Sequence, residues 1–153
     1  MGKFRVARLC VETVKEMIMV TREGLKGFGP LFIRLALGGI FFGHGAQKLF
    51  SWFGGRGVDG YSTFFEQIGL VPAKIFVMLA GGAEFFGGIF VFLGLFTKFG
   101  STLLASVMVV AVAFAHWPKF FGESEYPVAL FAMAISLLFT GPGHLAVEKL
   151  FKK

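Results

Sequence analysis

The chain has 153 residues, a formal net charge of +6 and 56% hydrophobic residues, with 22 Phe and 22 Gly. Its mean hydropathy of +0.76 lies well above soluble-domain usage, which argues against a soluble helical domain and for a bilayer as solvent. The excess positive charge then reads as membrane topology and contact with anionic lipid. A nucleic-acid role would need a basic soluble domain, and the sequence offers none.

Residues 1–29 mix apolar and charged side chains. Leu9 or Cys10, Val14, Met17 or Ile18 and Thr21 recur at helical spacing, with Arg8, Glu12, Lys15 and Glu16 elsewhere on the wheel. This pattern predicts an amphipathic helix on the membrane surface, serving as an anchor or as a docking face for a partner subunit. No continuous apolar core or cleavage site follows the charges, so a signal peptide is not expected. Cys10 is the single cysteine. It excludes an internal disulfide and any dithiol chemistry, and reads as a small apolar packing residue.

Residues 30–146 carry four candidate spans, and residues 147–153 form a basic tail. The spans run from about Leu31 to Phe53, Pro72 to Phe96, Phe99 to Trp117 and Tyr126 to Thr140. A crossing needs about 20 residues at 1.5 Å rise each, so the fourth is short. Lipid offers no partners to backbone groups, which makes helices the plausible form. Between the spans, WFGGRGVDGYS, FTKFG and WPKFFGESEYP read as loops, and Pro72 fits a first helical turn. The expected fold is therefore all-α and integral to the membrane: an antiparallel bundle of four transmembrane helices preceded by an interfacial helix.

Lys and Arg set the expected orientation. Lys3, Arg5, Arg8, Lys15, Arg22, Lys26, Lys98, Lys149, Lys152 and Lys153 fall on one side of such a bundle. Lys48, Arg56, Lys74 and Lys119 fall on the other. The positive-inside rule then makes both termini cytoplasmic.

Charges inside spans are costly and each needs an account. Glu84 is the only charged residue between Lys74 and Lys98. The first span holds Arg34, His44, Gln47 and Lys48, of which the last three share a helical face. Counting rise per residue, His44 and Glu84 lie about 20 Å and about 18 Å from the cytoplasmic edge, whereas Arg34 lies about 5 Å in. Glu84 is thus expected to pair with the His44, Gln47 and Lys48 group. Arg34 is expected to reach the headgroups or to brace the bundle. Gly81 and Gly88 flank Glu84 on its face and permit close helix approach. His116 and Glu125 could complete a site near Lys48, or could face the outer aqueous layer. Trp117 and Tyr126 suit interfacial anchoring.

These residues carry a family resemblance. RLALGGIFFGHGAQKLFSWFGGRGVDGYSTFFEQIGL, AGGAEFFGGIFVFLGLFTKFGS, HWPKFF, EYP and the closing GPG together resemble the DoxX family, over about Leu31 to Ala146. The resemblance implies a four-helix protein of the bacterial inner membrane, similar to the membrane subunits of quinol oxidases and thiosulfate:quinone oxidoreductases. By motif position it points to His44, Gln47, Lys48, Glu84, Glu125 and Tyr126 as site residues.

Two functions compete at this level. In one, the protein is a redox-associated subunit that binds a quinone-type ligand, with the polar group addressing its ring and Glu84 exchanging a proton. In the other it is a non-catalytic accessory or scaffold subunit of a larger complex. Haem ligation by His44 and His116 is disfavoured, because the two would sit at different depths. No ligand spacing for zinc or copper occurs. A transporter is not indicated, since no inverted repeat or broken helix pair is evident.

Overall fold

The computed structural model describes residues 12–17, 27–115 and 125–151. Most of the amino-terminal amphipathic segment, including Cys10, lies outside them, as do His116, Trp117, Lys119 and the final two lysines. Residues 12–17 are helical and exposed.

Among the described residues the fold is helical throughout. Helix α1 spans Phe28–Phe50, α2 Gly57–Gln67, α3 Ala73–Leu93, α4 Thr97–Val110 and α5 Glu125–Thr140. A short π-helical turn at Ala111–Ala115 extends α4. Among the described residues, three helices are long and apolar enough to cross a membrane: Phe28–Phe50, Ala73–Leu93 and the 18 residues Thr97–Phe114. Helix α5 is apolar but has 16 residues, about 24 Å of helix against a hydrocarbon layer of about 30 Å. The fourth expected crossing therefore stands on composition, with its length short of a full span.

Local chemistry sets the helix ends. Pro30 occupies the first turn of α1, where a missing N–H costs nothing. Ser51, at φ 58°, ends that helix in the left-handed region. Gly94 closes α3 at φ 68°, and the Leu95 N–H reaches back to the Phe90 carbonyl at 2.9 Å. That pattern, with glycine supplying the left-handed residue, is a Schellman ending. It turns the chain into α4 within three residues.

Helix α2 departs from expectation. The sequence reading placed its first residues in a glycine-rich loop, because Gly57 and Gly60 obscure the pattern. Val58, Tyr61, Phe65 and Ile68 nevertheless keep helical spacing. Ser62 offsets its burial by donating to the Val58 carbonyl at 2.7 Å.

The principal packing is α1 against α3. Their close approach depends on glycine. A Cβ at Gly38 would lie 2.6 Å from the Phe92 nitrogen and 2.8 Å from the Gly88 oxygen, and one at Gly45 would collide with the Phe85 backbone. These contacts set an antiparallel register in which residue 45 faces residue 85. Leu37 and Phe41 of α1, Val91 of α3, Leu104 of α4, and Leu130 and Leu137 of α5 meet in the core. Large apolar residues also cover the outside: Phe32 is 69% exposed and Phe139 81%. Lipid accommodates such a surface, and water would not.

Candidate functional site

Two charged residues of α1 are withdrawn from solvent, at opposite ends of the helix. Arg34 is buried. Its Nη1 donates to the Pro142 carbonyl and its Nη2 to the Leu145 carbonyl, each at 3.0 Å. The segment after α5 thus folds back across this end of the molecule. It is held there by the Glu148 N–H donating to the Gly94 carbonyl at 3.1 Å and the His144 N–H donating to the Gly27 carbonyl at 2.9 Å. Glu148 Oε2 accepts the Thr97 N–H at 3.2 Å, so a carboxylate sits at the start of α4, where the helix dipole favours it. Of the two roles foreseen for Arg34, the structure selects bracing.

The other end holds Lys48, whose Nζ lies 2.6 Å from Glu84 Oε2. The α1–α3 register makes this pair, since it sets the two residues less than a turn apart in depth. Their side chains are 14% and 4% exposed. A buried pair of this kind survives only when the charges compensate each other closely. Lys48 Nζ also sits 5.5 Å from the Tyr61 ring centroid, within cation–π range. His44 Nε2 lies 3.4 Å from the Tyr126 hydroxyl, which links α1 to the first turn of α5.

A cavity of about 450 Å³ adjoins these groups. His44, Lys48, Tyr61, Glu84 and Tyr126 form its polar end, and side chains of α2, α3, α4 and α5, apolar apart from Ser106, form the remainder. Volume and composition match a small-molecule site, where a few convergent polar groups fix orientation inside an apolar enclosure.

Of the residues expected from sequence, four line this cavity: His44, Lys48, Glu84 and Tyr126. Gln47 is directed elsewhere. Its Nε2 donates to the Phe53 carbonyl at 3.4 Å, and a Cβ at Gly55 would strike it. Glu125 is exposed and is not part of the lining. His116 lies outside the described residues. Tyr61, Phe64 and Phe65 were missed because α2 was read in part as a loop. Their helical spacing was the signal that could have found them. Among the described residues no cluster of His, Cys, Asp or Glu could hold a metal ion.

The family model for DoxX matches residues 29–117. The chain belongs to the DoxX family. The match takes in α1 to α4, and with them every cavity-lining residue except those of α5. The chain is also 33% identical over 121 residues to the protein named "Putative oxidoreductase CatD" of Bacillus subtilis (strain 168), across 78% of this chain and 84% of that protein. No solved structure matches the chain. As a DoxX protein with three helices of membrane-crossing length and an apolar exterior, it is a membrane protein.

Proposed function

We propose that this DoxX protein is a membrane subunit of a redox complex and that it binds the ring of a quinone-type ligand in the cavity beside Lys48 and Glu84. The observation that carries the reading is the placement of an intramembrane ion pair on the wall of an apolar cavity, rather than wholly inside packed helices. Charged residues at membrane depth mark ligand or proton sites more often than chance.

A quinone accepts two electrons and two protons on reduction to the quinol. Lys48 and the Tyr126 hydroxyl can donate hydrogen bonds to ring oxygens. Glu84, a carboxylate in the resting pair, can take up each of the two protons in turn and pass it to a ring oxygen, with Lys48 compensating the carboxylate left behind each time. His44, in contact with Tyr126, orients that hydroxyl. The electrons come from a partner subunit, so the task of this chain is binding and proton exchange. The name of the Bacillus subtilis relative, "Putative oxidoreductase CatD", lends this reading its support from comparison. The distribution of Lys and Arg supports a membrane orientation with both termini cytoplasmic, the family resemblance supports a bacterial inner-membrane location, and the apolar composition of α5 supports a fourth crossing.

One observation favours the second reading, an accessory or scaffold subunit. Lys48 and Glu84 already satisfy each other at 2.6 Å, as a contact that merely fixes helix register would.

Gentle purification from the native membrane, followed by lipid extraction and identification of co-purifying proteins, separates the two. Stoichiometric quinone, lost in Glu84→Gln with the fold intact, is the expected result. Stable partner subunits without quinone would establish the scaffold reading instead.

A further inference from the structure

The cavity has a second feature besides its polar end: one of its sides is formed by residues that also face the lipid. Leu79 and Phe76 of α3 line it, and they are 63% and 37% exposed. Val110 of α4 lines it as well and is 42% exposed. A side chain that borders a cavity and is also this accessible lies at its rim.

The packing of α3 and α4 accounts for a rim at this place. Near their connecting turn the two helices lie close together. A Cβ at Gly87 would lie 2.9 Å from Leu104, and one at Gly100 would lie 3.0 Å from Val91. Toward the other ends this glycine contact is gone. There Phe76, Leu79 and Ala80 on α3, and Val107, Val110 and Ala111 on α4, flank the cavity. At Ala111 the α4 backbone also changes from α to π geometry. Single π turns inside helices occur frequently at functional sites.

We propose that the cavity opens sideways into the bilayer between α3 and α4, past Leu79 and Val110, and that its ligand is a long-tailed amphiphile whose tail lies in this gap. The proposal rests on the ligand-binding reading above and adds the route and the tail. The ring occupies the Lys48–Glu84 end, and the tail leaves through a predominantly apolar wall, whose one hydroxyl, on Ser106, is spent on the Thr102 carbonyl at 2.9 Å. Such a wall offers nothing to a polar ligand arriving from water. For an alkyl or prenyl chain, each methylene kept in contact with protein adds to binding.

The test uses the full-length protein in lipid nanodiscs with two probes, a long-tailed prenyl naphthoquinone and menadione, which carries a methyl group in place of the tail. The long-tailed probe is expected to bind at least about tenfold more tightly after correction for partitioning into lipid. Leu79→Trp combined with Val110→Trp, both at lipid-facing positions where a larger side chain is tolerated, should remove that advantage, so that the long-tailed probe binds no more tightly than menadione. A tail-borne photoreactive group should label α3 and α4 near these two positions. Equal affinity for both probes, or labelling confined to other helices, would overturn the sideways opening while leaving the ring site standing. Failure of both probes to bind would remove the ligand-binding reading itself, and this inference with it.

Discussion

Arg34 and Lys48 stand on the same helix, and both are removed from water, yet the protein compensates them differently. Arg34 is hydrogen-bonded by backbone, two carbonyls from the returning segment at Pro142 and Leu145, while the Glu148 carboxylate, held by the Thr97 N–H, acts on it through its charge alone. Lys48 is answered by a side chain, Glu84, next to empty space. Backbone carbonyls are fixed by the fold and cannot change protonation, so the Arg34 end is suited to bracing. A carboxylate bordering a cavity can exchange both a proton and a partner. The contrast shows that a buried charge alone does not mark a site; the kind of group that answers it is more informative.

Four single substitutions, with one double variant beside the second, probe this contrast in descending order of expected effect. Arg34→Ala should cost the most stability. It removes two charge-assisted hydrogen bonds worth about 1.5–3 kcal/mol each and frees the carboxy-terminal segment. Thermal unfolding in detergent should show the loss, and a variant as stable as the parent would end the idea that this end is a brace. Glu84→Ala should cost about 3 kcal/mol, because it strands the Lys48 charge. The double variant Lys48→Met with Glu84→Leu should regain most of that stability and still bind no quinone. Recovered stability together with recovered binding would mean that the pair is architecture only.

Gly45→Ala should cost about 1–3 kcal/mol, the usual range for overpacking. Its Cβ meets the Phe85 backbone, and separating α1 from α3 should also lengthen the Lys48–Glu84 contact. Quinone affinity should therefore fall with stability in this variant, whereas in Arg34→Ala the refolded fraction should bind normally. Asp59→Asn should do least. Asp59 pairs with Lys74 at 2.7 Å on the exposed surface. The hydrogen bond from Lys74, reinforced by its charge, holds the Asp59 carboxyl below its usual pKa. The small stabilisation this represents is present above the ordinary Asp range and fades as pH falls through the lowered folded value, below about pH 4. The unfolding temperature should therefore fall only slightly on this substitution, by the same small amount from pH 5 to pH 8. A large fall there would show that the pair carries more than its exposure suggests.

Much of the helical layout was legible because long apolar runs bounded by glycine, proline and charge can take few other forms in lipid. That Glu84 would find its partner among His44, Gln47 and Lys48 was legible too, since rise per residue fixes depth on antiparallel helices, but not that the partner is Lys48. Two further things were not. The helical continuation through Tyr61 was hidden by Gly57 and Gly60, whose low helix propensity is overridden by packing of α2 against α1 and α3. The fate of Arg34 was left between two roles, because its acceptors are carbonyls in a turn, and backbone oxygens carry no signature in sequence. Gln47 illustrates the converse: it shares a face with His44 and Lys48 by spacing, but the turn at Phe53 gives its amide a nearer acceptor.

The distance along the chain between Arg34 and its acceptors also bears on how the protein is made. Pro142 and Leu145 follow it by 108 and 111 positions. At a synthesis rate of about 5–20 residues per second, the guanidinium enters the membrane roughly 5–20 seconds before the ribosome has produced the oxygens that will receive it. During that interval, phospholipid headgroups or the insertion machinery must take their place, so α1 reaches its final set of contacts only after residues 142–145 have been made.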